Sequence, residues 1–151
     1  MKKTMIALIL LVMLVGCGTA TTKTTTSKVT YVKLSQKVTL QFFSVTTCSE
    51  CKAFKKNAIP YLKKKFGSMI SIKMYDLDAD ATKKPYDAII KSLKNFDQEY
   101  YGMGPFYCIK GYFAMLGYTA GDEKYLAQDI IAATKGKTLG EELEGNRMLY
   151  K

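Results

Sequence analysis

Cys48-Ser49-Glu50-Cys51 stands where an extended apolar run stops and a lysine-rich helical pattern begins, and that junction restricts the fold more than any other feature of the chain. Before it, Val38-Thr39-Leu40-Gln41-Phe42-Phe43-Ser44-Val45 is rich in β-branched and aromatic residues and reads as a buried strand. After it, Ala53, Phe54, Ala58, Tyr61 and Leu62 recur at a spacing nearer 3.6 than 2, with lysines between them. The cysteines therefore fall in the first turn of a helix fed by a strand. Side chains three apart in a helix lie about 5–6 Å from one another, close to what a disulfide needs, so the pair can open and close with little backbone movement. Cys48, at the helix N-terminus, has unpaired backbone N–H groups and the helix dipole to favour its thiolate, the attacking species. Cys51, one turn further in, reads as the resolving thiol of a redox dithiol. The other readings are half of a zinc site, which would want a second pair, and an inert structural disulfide.

The chain has a formal charge of +10 and contains no His and no Trp. Without His, Ser-His-Asp and Cys-His catalysis and most zinc arrangements drop out. Copper or zinc delivery through Cys48, Cys51 and the methionines lacks its usual His as well, so no metal and no cofactor is expected. At 151 residues a single domain is expected.

Met1-Lys2-Lys3 followed by the apolar run Met5 to Val15 has the charged start and short apolar core of a signal peptide, too short for a comfortable membrane span. The run ends in Leu14-Val15-Gly16-Cys17, which resembles the bacterial lipobox. That resemblance implies cleavage after residue 16, lipidation of Cys17, and a mature protein held on the extracytoplasmic face of the cell membrane. Cleavage removes Lys2 and Lys3 and leaves +8, an excess better matched to anionic head groups or to solubility than to nucleic acid. Residues 17–28, Thr-rich after the cysteine and without large apolar side chains beyond it, read as a tether. A flexible chain of that size holds the folded part within roughly 20 Å of the membrane.

The folded domain is expected over residues 29–136. Val29-Thr30-Tyr31-Val32-Lys33-Leu34 reads as a short strand, followed by the strand before Cys48 and the Cys-bearing helix, which Pro60 kinks or re-initiates and Gly67 ends. Met69–Tyr75 reads as a second strand, parallel to the first because a helix of crossover length joins them. The carboxylates of Asp76, Asp78 and Asp80 are spaced like those of a calcium loop, but Ala81 stands where that loop needs Gly, so they mark a strand exit. Pro85 is placed in the first turn of a helix whose face runs Tyr86, Ile89, Ile90, Leu93, Phe96, Tyr100. Gly102-Met103-Gly104-Pro105 breaks it, and Phe106–Ile109 and Tyr112–Leu116 read as a β-hairpin. Thr119-Ala120-Gly121-Asp122 has a capping-box look ahead of a closing helix through Leu126, Ile130 and Ala133 to Gly136. Residues 137–151 read as a short amphipathic tail, helical in pattern, with no place to dock.

This order resembles the thioredoxin-like superfamily over roughly residues 29–136, specifically its exported lipoprotein members. It implies a three-layer α/β/α fold with a mixed sheet, a shortened N-terminal βα unit and a longer middle helix. In that family a cis-proline begins the strand after the middle helix and lies beside the dithiol, where neighbouring backbone binds the substrate's cysteine-containing segment. Pro105, preceded by Gly104, stands at the matching place. Two departures are plain. Thioredoxin proper has Trp-Cys-Gly-Pro-Cys, whereas Thr47 precedes Cys48 here and Ser49-Glu50 fill the motif. Phe42 stands where thioredoxin keeps a buried acid, six residues before the first cysteine.

Four residues are expected to tune the pair: Thr47, Ser49, Glu50 and Lys52. Glu50, third after Thr47, reads as a cap on its own helix, and its charge would raise the Cys48 pKa while Lys52 lowers it. Cys108, in a strand near Pro105, reads as a small core residue. The resemblance implies a thiol–disulfide oxidoreductase acting on protein cysteines, a monomer working with a membrane or extracytoplasmic redox partner. The alternative is a redox-inert thioredoxin-fold adaptor of a secretion, bacteriocin-export or conjugation apparatus.

Overall fold

The computed structural model describes residues 31–151, so the expected signal peptide, Cys17 lipidation and tether lie outside the described residues. The sheet is built around β1 (Val38–Ser44), which pairs with β2 (Ile70–Asp76) on one side and β3 (Phe106–Ile109) on the other. β1 and β2 run parallel from Val38 opposite Ile70 to Ser44 opposite Asp76, and the remaining pairs are antiparallel, in the order β2-β1-β3-β4-β5. Helices pack on both faces of this central strand, which accounts for the near-continuous apolar run in β1. Leu40 and Phe42 point into one core with Phe54, Leu62, Phe66, Leu126 and Ile130, and Phe43 into the other with Tyr86, Ile89, Ile90 and Phe106. Helices α1 (Ser49–Lys56), α2 (Ala58–Phe66) and α4 (Glu123–Thr134) supply the first core, and α3 (Asp80–Ser92) the second. The result is a three-layer α/β/α domain with a mixed sheet, thioredoxin-like in arrangement, in which β1 leads straight to the Cys-bearing helix.

That helix breaks at Asn57, three residues ahead of Pro60. A proline cannot donate to the carbonyl four residues back, here Lys56, so α1 ends there and Pro60 sits in the first turn of α2, where its missing N–H costs nothing. Gly67 ends α2 at φ 54°, and a Cβ there would meet the Tyr31 ring at 2.8 Å. Tyr31 thus lies over Gly67 just before β2 begins. The hairpin of β3 and β4 (Phe113–Leu116) forms in the register Phe106 opposite Leu116.

Four expectations need correction. Residues 31–34 form no strand: the Val32 N–H donates to the Lys65 carbonyl at 2.8 Å, satisfying one of the open acceptors at the end of α2, while Leu34 is buried. The middle helix starts at Asp80, which puts Pro85 inside it, and it stops at Ser92. Leu93 turns extended and bridges Tyr150, and Lys94 N–H donates to Leu149 O, so Phe96 and Tyr100 lie beyond the helix. α4 begins at Glu123, not with a Thr119 cap; the Asp122 carboxylate accepts the Thr119 N–H at 3.0 Å instead.

The fourth correction is the tail. Residues 137–151 carry a 3-10 turn (Glu144–Asn146) and β5 (Arg147–Leu149), which pairs antiparallel with β4 as the outer strand. A buried ion pair holds it. One guanidinium nitrogen of Arg147 lies 2.8 Å from the Asp129 carboxylate and 2.7 Å from Gly140 O, and the Gly140 N–H donates to the other Asp129 oxygen at 2.8 Å. Asp129 is 2% exposed. Removing one member of such a pair leaves a buried charge without compensation. Arg147→Leu is expected to lower the unfolding free energy by about 3–5 kcal/mol, seen as a lower urea midpoint, and adding Asp129→Leu to restore most of it. An unchanged midpoint in the single variant would contradict this account.

Candidate dithiol site

The sulfurs sit at the C-terminal ends of β1 and β2. Val45–Thr47 leave β1 as a short turn held from outside: the Asp78 carboxylate accepts the Thr46 N–H at 2.9 Å and the Thr46 hydroxyl at 2.8 Å. Those bonds hold the Asp78 carboxyl below the usual carboxylate range. Cys48 follows as the N-cap of α1, its backbone extended and its Sγ accepting the Cys51 N–H at 2.9 Å. Cys48 and Cys51 form a disulfide with their Cα atoms 5.2 Å apart. Cys51 is 1% exposed whereas Cys48 is half-buried, so Cys48 is the sulfur that meets an approaching group. When the pair is open, that same N–H and the start of α1 favour the Cys48 thiolate.

Against this pair lies the Gly104–Pro105 peptide, which is cis. A Cβ on Gly104 would stand 3.2 Å from Cys51 Sγ and 3.4 Å from Val45 N, so only glycine brings the chain this close to the sulfur without displacement. Pro105 is buried and its carbonyl accepts the Gly117 N–H at 2.9 Å. The preceding loop is fixed from α3, with the Gly102 N–H donating to Tyr86 OH at 3.2 Å and Tyr101 OH donating to Asp87 at 2.6 Å.

Thr47, Ser49, Glu50 and Lys52 surround the pair, all exposed. Glu50 does not cap its own helix. With Cys48 as the N-cap, Glu50 falls one position short of where a reciprocal cap would sit, and its carboxylate accepts the Tyr118 N–H at 3.0 Å. It ties α1 to the loop after β4. The Asp78 tie to Thr46 was missed for a similar reason: the Asp-rich stretch shows as a strand exit, but nothing local says which turn it would hold. Asp76 accepts the Asp78 N–H at 3.0 Å, and among the described residues no three His, Cys, Asp or Glu side chains gather as a metal site.

Cys108 lies in β3, buried, with its thiol 3.8 Å from Gln41 Oε1. Burial pushes its pKa up to about 11, so it stays protonated and unreactive at neutral pH.

Comparison with protein-family models, curated proteins and solved structures finds no match for this chain. Among the described residues no helix is long and apolar enough to cross a membrane. What the coordinates establish is a Cys-x-x-Cys pair at disulfide distance on a thioredoxin-like α/β domain.

Two outcomes follow from the packing. Gly104→Ala is expected to destabilise the oxidised protein by about 1–3 kcal/mol through crowding. The penalty should shrink in a Cys51→Ala background, where the crowded sulfur is gone; an equal penalty in both backgrounds would place the strain elsewhere. Iodoacetamide at pH 8 should leave the Cys108 peptide unmodified in the folded protein and label it in urea, read by peptide mass mapping.

Proposed function

We propose that this chain is a membrane-anchored, extracytoplasmic thiol–disulfide oxidoreductase of the thioredoxin-like superfamily, exchanging disulfides with protein cysteines through Cys48 and Cys51. The observation that carries the reading is the asymmetry of the pair: Cys48 is accessible at the start of a helix, and Cys51 is buried one turn in against Gly104. A structural disulfide has no need of that difference, whereas sequential exchange requires one sulfur to be attacked and the other to leave.

In the oxidising direction a client thiolate attacks Cys48 Sγ, the Cys48–Cys51 bond breaks, and its electron pair leaves on Cys51 Sγ. A second client thiolate then attacks the client sulfur of the mixed disulfide and releases the Cys48 thiolate. The client has lost two electrons and two protons and the Cys48–Cys51 pair has gained them; the reverse sequence reduces a client disulfide. A membrane or extracytoplasmic thiol–disulfide partner returns the pair to its starting state. The Cys51 N–H that reaches Cys48 Sγ stabilises the thiolate leaving in the second step. Gly104 and Pro105 supply the backbone beside which the client segment lies. Anchoring through Cys17 follows from Leu14-Val15-Gly16-Cys17 and keeps this chemistry outside the cytoplasm, where disulfides persist.

Cys51→Ala removes the thiol that would attack Cys48 Sγ and free the client, so a Cys48 thiolate that has opened a client disulfide stays joined to it; mixed disulfides should accumulate at Cys48 and be recovered from cells, with none from Cys48→Ala. If no partner is captured and the reduced protein reduces insulin no faster than the Cys48→Ala control, the proposal fails.

A further inference from the structure

Cys48 opens onto a groove of about 440 Å³, with Cys51 at its floor, lined on one side by Lys52 and Lys55 of α1 and on the other by Met74 and Asp76 of β2. Met74 stands opposite Phe42 in the parallel register, hence on the α1 side of the sheet, and is 54% exposed. Among the described residues β2 is the edge strand on that side of the sheet. Lys52 and Lys55 are three apart and share a helix face, and the Lys55 ammonium leans over the Phe42 ring at 5.7 Å from its centre. Neither lysine is in an ion pair among the described residues. Asp76 is the one acid in the lining, one of its oxygens accepting the Asp78 N–H, while the Asp78 carboxylate stands at the rim, engaged by the Thr46 N–H and hydroxyl. The lining therefore carries two cations against one anion, beside a flexible apolar side chain.

The side of the sheet away from β2, beside β4 and β5, has the opposite character. There a second cavity of about 540 Å³ is lined by Glu50 and Asp97, and its one cation, Arg147, is committed to Asp129. A segment crossing the sulfurs meets positive charge on the β2 side and negative charge on the other.

We propose that the client is an extended polypeptide segment with an acidic residue close to its reactive cysteine, seated so that this residue faces Lys52 and Lys55 and an apolar neighbour rests on Met74. The inference rests on the exchange reading above and adds the client's charge and direction to it. Charge complementarity identifies the occupant: a basic flank would be repelled by the lysines, and an acidic flank laid the other way would face Glu50 and Asp97.

The test uses the oxidised full-length protein and three cysteine peptides that differ only in having Glu, Gln or Lys two residues from the cysteine. Rate constants for reduction of the Cys48–Cys51 disulfide are each normalised to the same peptide's rate with a neutral small disulfide, which removes differences in thiol pKa. The Glu peptide should react about tenfold faster than the Lys peptide at low ionic strength, with the gap narrowing as salt is added. Lys52→Gln/Lys55→Gln should abolish the preference and Lys52→Glu/Lys55→Glu should reverse it. Equal normalised rates in the wild type, or a preference that survives both double variants, overturns the groove assignment while leaving disulfide exchange standing. If none of the three peptides forms a mixed disulfide at Cys48, exchange itself is refuted and the client assignment with it.

Discussion

The position of the sulfurs is set by one aromatic ring. Phe54, fully buried one turn after Cys51, stacks on Phe42 of β1 at 4.6 Å between ring centres and lies 4.5 Å from Tyr107 of β3 and 5.2 Å from Tyr118 in the loop after β4. A helix as short as α1 has little stability of its own and takes its place from what its apolar face meets. Burial of a phenylalanine in such a setting is worth about 3–5 kcal/mol against truncation, enough to hold α1 in one place on the sheet. The Glu50 tie to Tyr118 N–H acts on the same helix from its outer end, so ring and carboxylate together fix α1 to the sheet and to the loop that carries Gly117.

The ring also explains what is missing beneath the dithiol. Phe42, buried and stacked, stands where thioredoxin has its acid, and a carboxylate there would face an aromatic wall with no partner. The charged side chains around the pair are at the surface: Glu50, Lys52, Lys55 and Asp76. Surface charges are screened by salt and open to a visitor, so they bear on recognition as much as on thiol acidity.

Much of this was legible from local pattern. β1, the Cys-bearing helix and its re-initiation near Pro60, β2 and the β3–β4 hairpin each follow from periodicity and from the placement of Gly and Pro, because each is decided by residues close in the chain. Several of the failures share one cause: contacts distant in sequence. Periodicity through Leu93, Phe96 and Tyr100 suggested a helix, yet the C-terminal strand captures Leu93 and Lys94 and ends it. The tail has the apolar spacing of a weak helix, and it forms a strand in which Arg147 reaches Asp129 near the middle of α4. Local pattern makes Glu50 a cap on its own helix, whereas its partner lies in the loop after β4. The nearness of Gly104 to Cys51 was legible only through resemblance, since no local rule joins residues so far apart.

Tyr31 lies on Gly67, at the end of the sheet where β1 and β2 begin, and the sulfurs lie where those strands finish. Seven-residue strands separate the two by about 20 Å. The polypeptide before Tyr31 therefore joins the domain at its base. The sulfurs thus face away from the end at which the described chain enters the sheet, and the Cys48 face is left clear of that entry.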